Sequence, residues 1–157
     1  GFPVFRTMGG VMGMCLCNDR RWPETWRVMG MQDVDLVMLG YNTPVYNSVA
    51  TESPHLRMFH NHISMQAGAY QNGTWAVGTA KAGMEGGVDM MAGSCIIAPT
   101  GEIVALATTA EDEVIVAECD LDRGRYIRDT VFNFAQHRRI ETYGLITERT
   151  AAVPPPE

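Results

Sequence analysis

The sequence predicts an α/β protein, and three observations carry that prediction. Residues 10–16 form a nearly continuous apolar run, the pattern of a strand covered on both faces. Residues 23–30 open with Pro23 and Glu24 and close at Gly30, which is the punctuation of a helix. Residues 34–39 form a second apolar run. Strand, helix and strand within about thirty residues is the pattern of a right-handed βαβ unit with parallel strands. Ligands gather at the carboxyl edge of such strands.

The other elements follow in order. Residues 2–6 read as a short strand, joined to 10–16 by a turn over 7–10. A loop rich in Gly, Asn and Pro occupies 40–47. Ser53 and Pro54 open a second helix running to about residue 70, with Leu56, Phe59, Ile63, Ala67 and Tyr70 at three- and four-residue spacing. Asn72-Gly73 ends it. Residues 74–81 alternate as a strand does. Residues 93–98 and 103–107 read as strands joined through Pro99-Thr100-Gly101, a tight-turn sequence. Residues 113–119, rich in valine and isoleucine, read as another strand, and 121–134 as a last helix. Residues 1–150 are expected to belong to one domain, with 151–157 a flexible proline-rich tail.

Composition bounds the function. The 157 residues are 46% hydrophobic and 19% charged, which is globular and long enough to bury a core. The net charge of -6 argues against a general nucleic-acid binder. No apolar run reaches bilayer length, so no membrane partner is expected. The opening Gly-Phe-Pro-Val-Phe has no charged, apolar signal character and reads as the inside of a domain. Cysteines at 15, 17, 95 and 119 are too sparse for a disulfide framework and point to reduced thiols in a cytoplasmic protein.

Cys17 is the chemical candidate. It ends the first βαβ strand and precedes the helix, where a helix N-terminus and the nearby Arg20 and Arg21 favour a thiolate. The opposing reading is one more buried cysteine, as for Cys15 two residues earlier. A zinc site starting at Cys15 and Cys17 finds no second ligand pair of suitable spacing. His60 and His62 lie about 200° apart on a helix and do not share a ligand; with His55 they read as hydrogen-bonded core or surface histidines. Parallel strands place Asn42 and Thr43 beside the Cys17 turn, where an amide and a hydroxyl suit a polar substrate.

The segment Gly13-Met14-Cys15-Leu16-Cys17-Asn18-Asp19-Arg20-Arg21-Trp22-Pro23-Glu24-Thr25-Trp26 resembles the nucleophile segment of the carbon–nitrogen hydrolases of the nitrilase superfamily. Within that superfamily it is most similar to the N-carbamoyl-D-amino acid amidohydrolases, or D-carbamoylases. The likeness continues through Gly40-Tyr41-Asn42-Thr43-Pro44, through Ser64-Met65-Gln66-Ala67-Gly68-Ala69-Tyr70-Gln71-Asn72-Gly73, and through Gly93-Ser94-Cys95-Ile96-Ile97-Ala98-Pro99-Thr100-Gly101-Glu102-Ile103-Val104-Ala105. It reaches Phe132-Asn133-Phe134 and His137-Arg138. The Gly-Ser-x-Ile-x-x-Pro-x-Gly-Glu stretch marks the superfamily, and Cys-Asn-Asp-Arg-Arg-Trp-Pro-Glu points to the carbamoylases.

The resemblance implies a four-layer α-β-β-α sandwich, of which this chain is about the C-terminal half. It implies hydrolysis of N-carbamoyl-D-amino acids with no cofactor and no metal. Cys17 would be the nucleophile and the Asn18 backbone N–H an oxyanion donor. Arg20 and Arg21, supported by Asn42 and Thr43, would hold the substrate carboxylate. The expected partners are a small N-carbamoyl amino acid and further copies of the full-length chain, in a dimer or tetramer. The superfamily also needs a glutamate base and an oxyanion-stabilising lysine upstream of the cysteine. Residues 1–16 contain neither, and Lys81, the sole lysine, belongs to a different segment.

Overall fold

The computed structural model describes every residue except Met8, Ser48, Ala50 and Glu157. Met8 of the expected 7–10 turn and Glu157 of the expected tail therefore lie outside the described residues. In chain order the elements are β1 (Val4–Thr7), β2 (Gly10–Leu16), α1 (Pro23–Gly30), β3 (Leu36–Tyr41), α2 (Pro54–Asn72) and β4 (Trp75–Ala80). Next come the ribbon strands β5 (Met84–Glu85) and β6 (Val88–Asp89), then β7 (Cys95–Ile97) and β8 (Ile103–Leu106). The short helices α3 (Arg125–Asp129), α4 (Phe134–His137) and α5 (Gly144–Glu148) close the chain.

Six strands make one sheet in the order β1-β2-β3-β4-β7-β8. The central strands β2, β3 and β4 are parallel, as the βαβ pattern predicts, and β1, β7 and β8 add antiparallel edges. Register brings Cys15 opposite Leu39 and Leu16 opposite Gly40. The chain leaving β2 at Cys17 therefore meets the chain leaving β3 at Tyr41, on one edge of the sheet.

Both long helices pack on one sheet face. Pro23 starts α1, and Trp26 and Met29 point into the core. Ser53 caps α2 by accepting from the Leu56 N–H at 3.3 Å, and Gly73, at φ 57°, ends it in the left-handed conformation that favours glycine. These helices bury Cys15, Val37, Leu39, Tyr41, Ala76, Cys95 and Ile97 beneath Trp26, Met29, Met65 and Ala69.

The inward face of α2 differs from the stripe its apolar spacing marks. Arg57, Asn61, Met65, Gly68, Ala69 and Asn72 are buried, whereas Leu56, Phe59, Ile63 and Tyr70 stand exposed. Small and polar residues face inward because α1 crosses close by. A Cβ at Gly68 would overlap the Trp26 ring, so glycine is what allows that approach.

The opposite sheet face is half covered. Trp75, Ile96 and Ala98 lie beneath Ile115, Ala117, Cys119 and Leu121. Phe5, Met14 and Leu16 remain exposed at 58%, 63% and 68%, so at that end the sheet offers an apolar surface to a further layer. The described residues thus make one six-stranded sheet with one helical layer, and the separate two-stranded β5–β6 ribbon. No helix among them is long and apolar enough to cross a membrane.

Two expected elements are corrected. Residues 113–119 are not a strand: they alternate inward and outward as a strand would, but pair with no strand among the described residues, and Val114 and Val116 face solvent. The expected helix over 121–134 is broken into a 3₁₀ turn (Leu121–Gly124), α3 and α4. At the first break Gly124 passes so close to Gly73 that a Cβ would strike the Gly73 backbone. At the second, Thr130 leaves helical geometry (φ -122°, ψ -91°), and Asn133 caps α4 by accepting from the Gln136 N–H at 3.2 Å. The β5–β6 ribbon, with Gly86 and Gly87 both at positive φ, was not expected from the sequence. Residues 151–156 hold no helix or strand.

The crossing of α1 over α2 makes Gly68→Ala a direct test of the packing. Overpacking at this contact should lower stability by about 1–3 kcal/mol, read as a lower urea midpoint at unchanged m-value; an unchanged midpoint would refute the close crossing.

Candidate active site

The site begins at the carboxyl end of β2. Cys17 opens a 3₁₀ turn (Cys17–Arg21) that carries the chain to Pro23 and α1. Its φ is +49°, a left-handed conformation for a residue with a side chain, which costs about 1–2 kcal/mol. The turn is held from both ends. The Leu16 N–H donates to Asp19 Oδ2 at 3.0 Å, and Trp26 Nε1 donates to the Arg20 carbonyl at 2.8 Å. Cys17 is half-buried and Asn18 is exposed. The amides opening such a turn have no acceptor within it, so the Asn18 N–H is available to a ligand beside the sulfur.

Arg20 is 1% exposed and acts as the hub. Its Nε donates to Asn61 Oδ1 at 2.8 Å, its Nη2 to Thr43 Oγ1 at 3.0 Å, and its Nη1 to the Cys17 carbonyl. Its guanidinium lies 4.1 Å from the centre of the Tyr41 ring. Asn61 Nδ2 donates to the Tyr41 hydroxyl at 3.2 Å, and that hydroxyl donates to the Gly93 carbonyl at 3.3 Å. Burial pushes Tyr41 up to about 12, so the phenol stays neutral and keeps its donor role. Burial, then the charge of Arg21, lowers Arg20 from its ordinary value, against the opposing pull of Tyr41 and Cys17.

The structure thus joins Cys17, Arg20 and Thr43 in one network. Arg21 follows, half-buried, with no hydrogen bond or ion pair among the described residues. Asn42 precedes Thr43 and is exposed. The loop is pinned in turn: Met91 N–H donates to the Thr43 carbonyl at 2.9 Å and Val45 N–H to the Asp89 carbonyl at 2.8 Å, fastening it to the β5–β6 ribbon. Asn61 and Tyr41 were missed from sequence. The signal lay in polar residues at 57, 61 and 72 on helical spacing with Met65, obscured by the more apolar outward stripe.

The remaining candidates sit in quieter places. His60 Nδ1 lies 3.2 Å from Glu52, His62 Nε2 lies 3.2 Å from the Gly93 carbonyl, and His55 is exposed. Lys81 lines a separate cleft with Ser94, Thr109 and Glu111. Among the described residues no cluster of three or more His, Cys, Asp or Glu side chains is arranged to hold a metal ion.

The cysteines divide by environment. Burial, then Asp19, pushes Cys15 up to about 11, and burial pushes Cys95 up to about 12. Both remain protonated at pH 8, because a raised thiol value withholds the thiolate until the pH approaches it. Iodoacetamide at pH 8 should therefore label Cys17 in the folded chain and reach Cys15 and Cys95 only in denaturant. Peptide mapping showing Cys15 or Cys95 modified first would contradict this arrangement.

Residues 1–129 match the family described as Carbon-nitrogen hydrolase. The N-carbamoylputrescine amidase of Oryza sativa subsp. japonica is 30% identical over 130 residues, covering 78% of this chain and 42% of that protein. A nitrilase of Pyrococcus abyssi is 28% identical over 145 residues, covering 91% and 50%. The chain spans about half the length of the curated relatives it matches. Among solved structures, a carbon-nitrogen hydrolase from Helicobacter pylori G27 superposes with a TM-score of 0.82 at 24% identity, over 95% of this chain and 53% of that one. A mutant amidase from Nesterenkonia sp. AN1, in which acrylamide has added to the active site cysteine, superposes at 0.67 with 21% identity, over 91% and 48%. The fold is that of the nitrilase superfamily, and the chain belongs to the carbon-nitrogen hydrolase family.

Proposed function

We propose that this chain carries the nucleophile and carboxylate site of an enzyme that hydrolyses N-carbamoyl-D-amino acids. The observation that carries the proposal is Cys17 in a strained turn at the carboxyl edge of the sheet, beside an Arg21 with no hydrogen bond or ion pair among the described residues. Arg20, by contrast, is committed to the Cys17 carbonyl, Asn61 and Thr43. The two arginines therefore divide the work: Arg20 sets the turn and Arg21 meets the substrate. A guanidinium fork suits a planar carboxylate, and holding it orients the carbamoyl carbon over sulfur.

In the reaction, the Cys17 thiolate attacks the ureido carbonyl and the Asn18 N–H steadies the oxyanion. The terminal nitrogen leaves as ammonia, taking up a proton. A thiocarbamate remains on sulfur, and water cleaves it. The released carbamic acid breaks down to carbon dioxide and the D-amino acid. The base for thiol and water, and the lysine for the oxyanion, would be the family's upstream glutamate and lysine. Residues 1–16 supply neither. The active-site cysteine of the Nesterenkonia amidase, which takes up acrylamide in a mutant, supports the cysteine assignment.

A second reading is an amidase for a carbamoylated amine or a simple amide, favoured by relatives named N-carbamoylputrescine amidase and nitrilase. Two arginines beside the nucleophile oppose a substrate with a cationic tail and favour one with a carboxylate. The exposed stripe Leu56, Phe59 and Ile63 supports self-association of the full-length protein as a dimer or tetramer. Four free cysteines fit a reducing, cytoplasmic setting.

In a full-length protein containing this chain, Cys17→Ala should abolish ammonia release from N-carbamoyl-D-amino acids with Tm unchanged; retained turnover would sink the assignment. Arg21→Lys should raise KM about tenfold and leave kcat within a few-fold, because a point charge replaces a fork. An unchanged KM, or equal turnover of carbamoylated amines lacking a carboxylate, selects the second reading. The 157-residue chain alone should release no ammonia from these substrates, and measurable turnover by it would show that the base lies within it.

A further inference from the structure

Arg20 Nη1 donates to the Cys17 carbonyl, and that carbonyl shares one peptide plane with the Asn18 N–H. The peptide is trans, so the two groups point in opposite directions. A cation fixed at the oxygen therefore fixes the line along which the N–H points. The guanidinium is itself held by Asn61 Oδ1 at 2.8 Å from Nε and by Thr43 Oγ1 at 3.0 Å from Nη2, and it stacks 4.1 Å from the centre of the Tyr41 ring. At 1% exposure it has almost no water to turn towards. Rotating the Cys17–Asn18 peptide would leave a guanidinium N–H in the interior short of an acceptor, which is costly.

Direction is half of the effect. A charged donor at a carbonyl oxygen draws electron density out of the amide, and the N–H at the far end of the same plane becomes more positive. Hydrogen bonds linked in this way strengthen one another, by about 10–30% each. A bond from an ionised donor is itself about twice as strong as one between neutral groups. An arginine keeps its proton throughout the working pH range of a protein, so the polarisation is permanent.

We propose that Arg20 is a positioning residue for the oxyanion: through the Cys17 carbonyl it aims and polarises the Asn18 N–H, and so acts on a substrate oxygen that it does not touch. This role rests on Cys17 as nucleophile and Asn18 as oxyanion donor, the reading proposed for the site. It separates the two arginines by the step each serves. Arg21 acts on binding of the carboxylate, which is the same before and during attack. Arg20 acts on the negative charge that builds on the carbonyl oxygen as sulfur attacks.

Two reagents applied to the 157-residue chain at pH 8 report this effect. In acrylamide addition the Cys17 thiolate forms a C–S bond to the terminal alkene carbon, the π electrons move onto the carbonyl oxygen, and water then protonates the α-carbon. In iodoacetamide alkylation the C–S bond forms as iodide leaves with the C–I electrons, and little charge builds on oxygen. Both consume the thiolate, so the ratio of their rates removes any change in its fraction. Arg20→Gln should lower the acrylamide-to-iodoacetamide ratio at Cys17 about tenfold, a part of the roughly 10²–10³-fold that losing an oxyanion donor outright costs. Arg21→Gln should leave the ratio unchanged. In a full-length protein containing this chain, Arg20→Gln should lower kcat about tenfold or more with KM within a few-fold, the reverse of Arg21→Lys. Should Arg20→Gln fail to fold, a scalar coupling across the hydrogen bond, between Arg20 Nη1 and the Cys17 carbonyl carbon, tests the geometry by NMR in the unaltered chain. An unchanged ratio in Arg20→Gln, an equal fall in Arg21→Gln, or absence of the coupling would overturn the proposal. Failure of N-carbamoyl-D-amino acid turnover would overturn the catalytic reading and leave the labelling ratio to decide this one.

Discussion

Arg20 brings a permanent charge into the interior, where an unpaired ion costs several kcal/mol. The structure meets that cost with acceptors drawn from four parts of the chain. Asn61 comes from α2, Thr43 from the loop after β3, and the Cys17 carbonyl from the turn itself, while Tyr41 offers its ring from the end of β3. Removing any of them leaves a buried guanidinium short of a partner. The charge thereby obliges the turn, the loop and the helix to meet in one arrangement. Cys17, held at φ +49° next to that hub, owes its position to this requirement.

This changes the meaning of the paired arginines. Adjacent in sequence, they look equivalent. In space one is 1% exposed and makes three hydrogen bonds, and the other is half-buried with no hydrogen bond or ion pair among the described residues. The step from β2 into a 3₁₀ turn turns successive side chains in different directions, so neighbours take separate tasks. The exposed apolar face at Phe5, Met14 and Leu16 belongs to the same picture. A chain about half the length of its relatives carries a sheet whose second side still has room for the further layer of the family's sandwich.

Much of this was legible in the residues. The apolar runs at 10–16 and 34–39 around a Pro-started helix gave the parallel unit, and hence the approach of the loop carrying Thr43 to the Cys17 turn. Ser53-Pro54 and Asn72-Gly73 marked both ends of α2. What stayed hidden depended on tertiary contact. Which side of α2 faces inward was set by the Trp26 ring against Gly68, not by the stripe of larger apolar residues. Residues 113–119 carry strand-like alternation without a strand partner, a matter of distant pairing that local pattern does not encode. The break after Gly124 arises from its contact with Gly73, about fifty residues earlier in the chain.

The claim that Arg20 organises the Cys17 turn is tested most directly by hydrogen–deuterium exchange of the amides of residues 17–22 in Thr43→Val and Asn61→Leu. Each variant removes one acceptor of the guanidinium and leaves the sheet registers untouched. The account predicts faster exchange confined to 17–22, with the β3 amides as protected as in the parent chain. Unchanged protection of 17–22 in both variants would contradict it.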